Sequence, residues 1–179
     1  LNLTNSNQRY ERLAANLRVP VEFEPRRRQD VDTIFVAALP SAGRMLAPQL
    51  RFHFAGDIPT YATSDVYVPG NNTGNGDLNG VLVTETPWVL APHPDTERLK
   101  AELERYWPDQ APPLVRLHGL GFDAHRLIPL LYKKSEQFTS ISGLSGNLTL
   151  GADGRIRRRL PVGQFRNGNL ILLSTEAFP

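Results

Sequence analysis

Apolar and polar positions change period several times along this chain, and each change marks an element. In residues 8–17, Tyr10, Leu13, Ala14 and Leu17 share one helical face behind the capping run Asn5-Ser6-Asn7, and Pro20 ends the pattern. Val21-Glu22-Phe23-Glu24 alternates like a short half-buried strand, and a polar connector leads from it to Thr33–Leu39. That continuous β-branched and apolar run suits a strand covered on both faces, as in a parallel sheet. Pro40-Ser41-Ala42-Gly43 opens a helix expected to run to about Phe54, Ala55-Gly56 closes it, and residues 58–64 read as the next strand. A β-α-β unit with a right-handed crossover follows from this order.

The turn formers of residues 69–79 lead into a third strand at 80–84. Thr86-Pro87-Trp88 and Ala91-Pro92-His93-Pro94 then break regular structure, and a crossing between two lobes is expected here. Asp95 or Thr96 would cap a helix from Glu97 to about Trp107. Leu117, Leu120, Ala124, Leu127, Ile128 and Leu131 give residues 114–134 a helical apolar stripe, expected to be mainly core. Gly151-Ala152-Asp153-Gly154 predicts the turn of a hairpin over residues 146–160, and Asn167-Gly168 that of another between 164–166 and 170–173.

Composition narrows the class more than it names a function. With 179 residues, 40% of them hydrophobic, the chain can bury a core as one ordinary domain or two small lobes. Lys and Arg number 20 against 18 Asp and Glu, so whole-molecule attraction to nucleic acid or anionic lipid is weak and no nucleic-acid partner is expected. Having no cysteine, the chain is without disulfides, thiolate nucleophiles or cysteine metal sites. No run of 18 apolar residues suits a bilayer-spanning helix, and Leu1-Asn2-Leu3-Thr4 reads as a cut or processed start.

The search for chemistry finds little that points to catalysis. A phosphate-cradling loop is missing, and Gly119-Leu120-Gly121 lacks both the third glycine and the preceding strand of a dinucleotide site. His53, His93, His118 and His125 lack the spacing of a zinc set. Ser41, Ser64, Ser142 and Ser145 lie in no nucleophile elbow, and Glu22, Glu24, Asp30 and Asp32 read as strand-edge charges. Two basic clusters remain, Arg26-Arg27-Arg28 and Arg157-Arg158-Arg159 with Arg155 nearby. As plain solvated charge they need no partner, and Asp30 and Asp32 stand close enough to Arg27 and Arg28 in sequence for local neutralisation. As a site they suit an acidic protein surface or an anionic polymer.

Several strings are distinctive together. They are Phe23-Glu24-Pro25-Arg26-Arg27-Arg28-Gln29-Asp30-Val31-Asp32, Ala47-Pro48-Gln49-Leu50-Arg51-Phe52, Pro59-Thr60-Tyr61-Ala62-Thr63-Ser64, Asp77-Leu78-Asn79-Gly80-Val81 and Thr86-Pro87-Trp88-Val89-Leu90. Leu120–Leu127, Gly143-Leu144-Ser145-Gly146 and Asp153-Gly154-Arg155-Ile156 follow in order. The chain thereby resembles the LpoA/LppC family of lipoproteins that activate penicillin-binding proteins.

The resemblance implies an α/β fold in three α-β-α layers, similar to type I periplasmic binding proteins, in which two lobes are joined by several crossings. Residues 1–90 would be the later part of one lobe, and 91–179 the crossing, closing helix and β-hairpin of the second. A complete two-lobe region needs roughly 300 residues, so the first strands of at least one lobe are expected to lie outside this chain. A lipid-anchored protein on the periplasmic side of the outer membrane is implied. It would bind a bifunctional penicillin-binding protein (transglycosylase and transpeptidase), and peptidoglycan fragments are a further partner considered. It would stimulate peptidoglycan cross-linking by contact, with no catalysis, metal or cofactor of its own. The alternative is a periplasmic receptor for a sugar, amino acid or muropeptide. This fold places ligands where strand carboxyl ends face a crevice, at Ser41, Ser64, Glu85, Thr86 and Trp88.

Overall fold

A computed structural model describes residues 3–17, 22–23, 30–90, 94–109, 114–132 and 140–173. Three short parallel strands follow from the apolar runs: β1 (Ile34–Val36), β2 (Thr60–Ala62) and β3 (Leu82–Thr84). Ile34 pairs with Thr60 and Tyr61 with Leu82 in parallel register, as the β-α-β order requires.

Between β1 and β2 runs α2 (Pro40–Leu50), which starts on a proline whose fixed φ suits a first helical turn. The helix stops four residues short of the expected end. Pro48 removes a backbone donor from the last turns, and the chain leaves helical geometry at His53 and Phe54, the latter with φ 60°. On one face of the sheet, Ala47 of α2 joins Ala62, Val66, Leu78, Val81, Val83, Tyr67 and Phe165 in a core. The rings of Tyr67 and Phe165 meet edge to face at 5.3 Å.

The opposite face of β1 departs from the expected two-sided burial. Phe35 is 68% exposed and Leu39 at the strand's exit is equally open. The described residues put no layer over that side, so the apolar run is legible as a strand while its second cover is not present among them.

After β3 come α3 (Pro87–Leu90), α4 (Pro94–Tyr106) and α5 (Val115–Tyr132). Because α4 begins at Pro94, Asp95 and Thr96 lie inside its first turn instead of capping it. The strands β4 (Ile141–Ser142), β5 (Asn147–Leu150) and β6 (Ile156–Arg159) form a separate antiparallel sheet. The last pair, β7 (Val162–Arg166) and β8 (Asn169–Leu172), turns back to the main sheet. Its order is β1-β2-β3-β7-β8, with β7 antiparallel to β3. Asn167 and Gly168 both have positive φ, 50° and 76°, which is the geometry a two-residue hairpin loop demands.

Residues 162–172 pair with the strands of 34–84, and among the described residues 141–159 form a sheet apart. Of the first two expected elements, α1 (Leu3–Leu17) begins earlier than the cap predicts. Glu22 and Phe23 carry no strand, while Val21 and Glu24 fall outside the described residues.

Helix α5 reverses its expectation. Of the stripe expected in the core, Leu117, Leu120, Ile128 and Leu131 are exposed, at 56, 45, 64 and 43%, as is Ala124, while Leu127 is half-buried. Its buried positions are Gly119 and Asp123. The helix meets the rest of the described chain with Arg116, Gly119, Phe122 and Asp123, and most of its apolar stripe faces away.

Candidate functional site

The carboxyl ends of β2 and β3 converge on one buried ionic node. β3 hands the chain to Glu85, which is 1% exposed, and the residues after β2 form a short turn at Ser64–Val66. Arg116, in the first turn of α5, reaches across with its Nε at 2.8 and 3.1 Å from the two Glu85 carboxylate oxygens and its terminal nitrogen at 2.7 Å. That same terminal nitrogen donates to the Ser64 carbonyl at 2.8 Å, and the guanidinium lies 5.4 Å from the centre of the Tyr67 ring.

Tyr67 Oη donates to Glu85 at 2.8 Å, and the Thr86 backbone N–H at 2.7 Å, with Thr86 Oγ1 at 3.2 Å. Glu85 thus has a cation and neutral donors on both oxygens, the condition under which a carboxylate can remain charged out of water. Burial, followed by the neighbouring Glu85 charge, pushes the Tyr67 phenol well above its ordinary range. Burial alone would lower Arg116, but its hydrogen bonds and attraction to Glu85 prevail and raise it. The chemistry of this node is adhesion between α5 and the strand ends.

A second attachment lies two turns along α5. Asp123, 2% exposed, accepts from the Ser145 backbone N–H at 2.7 Å, Ser145 Oγ at 2.6 Å and the Leu144 N–H at 3.0 Å. Between the two, Gly119 lets the helix backbone approach, since a Cβ there would lie 3.1 Å from both the Leu144 carbonyl oxygen and Trp88 Cβ. Trp88 is fully buried, stacked on Phe122 at 5.9 Å, with its backbone N–H on the Leu144 carbonyl.

Of the crevice positions expected from the sequence, Ser64, Glu85 and Thr86 meet in the node. Ser64 contributes its backbone carbonyl and not its hydroxyl. Trp88 sits one helical turn on, packed against α5, and Ser41 is exposed in the first turn of α2, with no hydrogen bond to the node among the described residues. A receptor crevice would keep polar groups free for a ligand, whereas here Arg116 and Tyr67 already saturate Glu85, so the receptor alternative is not favoured. Arg26, Arg27 and Arg28 lie outside the described residues. Arg157, Arg158 and Arg159 are all exposed along β6, and Arg157 pairs with Asp153 at 3.1 Å.

Arg116, Tyr67 and Asp123 were missed as site residues. Asp123 interrupts the apolar spacing of α5 and belongs to the distinctive Leu120–Leu127 string, a signal that was available. For Tyr67 and Arg116 no local pattern exists, because their partner lies 18 and 31 residues away in sequence.

Mixed parallel and antiparallel strands, helix α2 on one face and a return hairpin define an α/β protein similar to type I periplasmic binding proteins. Fold comparison agrees: the C-domain of LpoA from Haemophilus influenzae, a regulator of PBP1A, aligns with a TM-score of 0.64 at 20% identity, over 82% of this chain and 46% of that one. A putative branched-chain amino acid ABC transporter from Rhodospirillum rubrum aligns with a TM-score of 0.55 at 18% identity, over 79% of this chain and 44% of that one. The chain belongs to the LppC putative lipoprotein family, whose model matches residues 1–168. The penicillin-binding protein activator LpoA of Vibrio vulnificus is 28% identical over 160 residues, covering 88% of this chain. That of Vibrio cholerae is 28% identical over 163 residues. The chain spans about a quarter of the length of these relatives, 26% in each case.

Proposed function

We propose that this chain is part of a non-catalytic activator of a bifunctional penicillin-binding protein, stimulating peptidoglycan cross-linking by protein–protein contact from the periplasmic side of the outer membrane. Membership of a lipoprotein family whose relatives are named activators of such enzymes supports this reading. The observation that carries it is the self-satisfied node. A crevice end whose carboxylate is fully used by Arg116, Tyr67 and Thr86 suits a rigid docking body better than a receptor or a catalyst.

Two lobes remain the organisation we favour, with α5 and the β4-β5-β6 sheet belonging to the second and β7-β8 returning to the first. The exposed apolar stripe of α5 is the side the remainder of that second lobe would cover. Arg157, Arg158 and Arg159, on the edge strand of the smaller sheet, are the side chains proposed to meet the partner, which would present an acidic patch there. The test is a binding and transpeptidase assay with the purified synthase. Expected are salt-sensitive binding, a raised cross-linking rate, and loss of both when the three arginines are reversed to glutamate. A chain that neither binds nor changes the rate overturns the proposal.

A further inference from the structure

Both tryptophans of the chain line one cavity, and nothing in the proposed activation uses it. The cavity, of about 200 Å³, lies between α4 and α5 over α3. Trp88, Leu103, Trp107, Val115 and His118 supply its walls, and Lys100 and Glu104 are its charged residues. Lys100 Nζ stands 5.6 Å from the centre of the Trp88 ring. The base of the cavity is held rigidly, since the buried Trp88 is stacked on Phe122 of α5 and meets His118 edge to face at 6.3 Å. The Trp88 Nε1–H has no acceptor among the described residues.

Each feature limits the occupant. Apolar cavities of about 150 Å³ hold a benzene-sized molecule, so this one takes a single ring or branched chain with a short tail. Indole and imidazole walls favour flat rings, which stack at little entropic cost. The ammonium of Lys100 is paired with Glu97 at 2.9 Å, but that contact is solvent-exposed and weak enough to exchange for a ligand anion. Glu104 in the same lining disfavours a second negative charge.

We propose that this cavity is a binding site for a small aromatic monocarboxylate, with the ring laid on Trp107 and the carboxylate on Lys100. The site is separate from the Glu85–Arg116 node and does not depend on the activator reading.

Its lining provides the probe, because both tryptophans of the 179-residue chain lie there. Titration of the 179-residue chain with phenylacetate is expected to give a saturable change in emission. Lys100→Gln should weaken phenylacetate by up to about fivefold, the worth of one exposed charge contact, and leave the uncharged analogue 2-phenylethanol unaffected. Leu103→Trp and, as a second filling variant, Val115→Phe should abolish saturation while circular dichroism stays native. A linear, collisional response like that of free tryptophan overturns the proposal, as does saturation that survives both filling variants. Equal losses for the charged and uncharged probes in Lys100→Gln overturn the assignment of the carboxylate to Lys100.

Discussion

Around the pairing of β3 with β7, Leu78, Val83 and Phe165 lose nearly all contact with water, and the sheet is held by apolar burial. Along α5 the arrangement is largely inverted: Leu117, Leu120, Ile128 and Leu131 are exposed, and beside the Phe122–Trp88 stack the helix is joined to its surroundings by Arg116, Gly119 and Asp123. Apolar burial is graded and non-directional, so a core tolerates approximate fit. A buried ion pair demands its geometry, and losing one partner leaves a bare charge. The first kind of contact makes the sheet stable, and the second sets where α5 sits on it.

Variants that attack each side test this contrast. Phe165→Ala in the sheet core should cost about 3–5 kcal/mol in denaturant unfolding, by lost transfer energy and the cavity left behind. A loss well under this range would mean the core is less tightly packed than its burial indicates. Arg116→Ala should cost about 3–5 kcal/mol as well, for a different reason, since it strands the Glu85 carboxylate. The distinction appears in the combined variant Glu85→Leu, Arg116→Met and Tyr67→Phe, which removes both charges and the phenol that donates to Glu85 and should recover part of that loss. Failure to recover would show that the node holds α5 by shape more than by charge.

A smaller effect is expected from alkali. Tyr67 has a raised folded-state pKa, so above about pH 10 the unfolded chain loses a proton that the folded chain keeps, and stability falls by about 1.4 kcal/mol per pH unit. Below the unfolded value both states hold the proton and the contribution is fully present. Tyr67→Phe should flatten this dependence relative to the parent when unfolding is followed between neutral and strongly alkaline pH. The smallest effect belongs to the outward stripe: Ile128→Glu should change the stability of this chain by no more than about 0.5 kcal/mol. In a longer protein where a second lobe covers α5, the same change should be severely destabilising, and equal indifference there would break the two-lobe proposal.

Where sequence and structure agree, the signal was local. The β-branched run at Thr33–Leu39 became β1, Pro40 opened α2, and Asn167-Gly168 turned β7 into β8, because period, proline φ and positive-φ tolerance act within a few residues. The candidate site was half legible. Ser64, Glu85 and Thr86 follow from the rule that strand carboxyl ends line a crevice, whereas Tyr67 and Arg116 answer Glu85 from 18 and 31 positions away. Sequence spacing correctly marked α5 as amphipathic but could not say which face met the described chain. An apolar stripe identifies a surface to be buried, and its cover can lie anywhere in the protein.

The amino-acid sequence by itself determined the elements, the α/β class and the family strings, since these depend on backbone preferences and short-range periodicity. Only the tertiary structure decided that β7-β8 return to the first sheet, that most of the apolar stripe of α5 faces outward, and that the crevice carboxylate is already occupied. Those outcomes rest on contacts between residues tens of positions apart, where a buried charge takes whichever partner the fold brings within hydrogen-bonding distance.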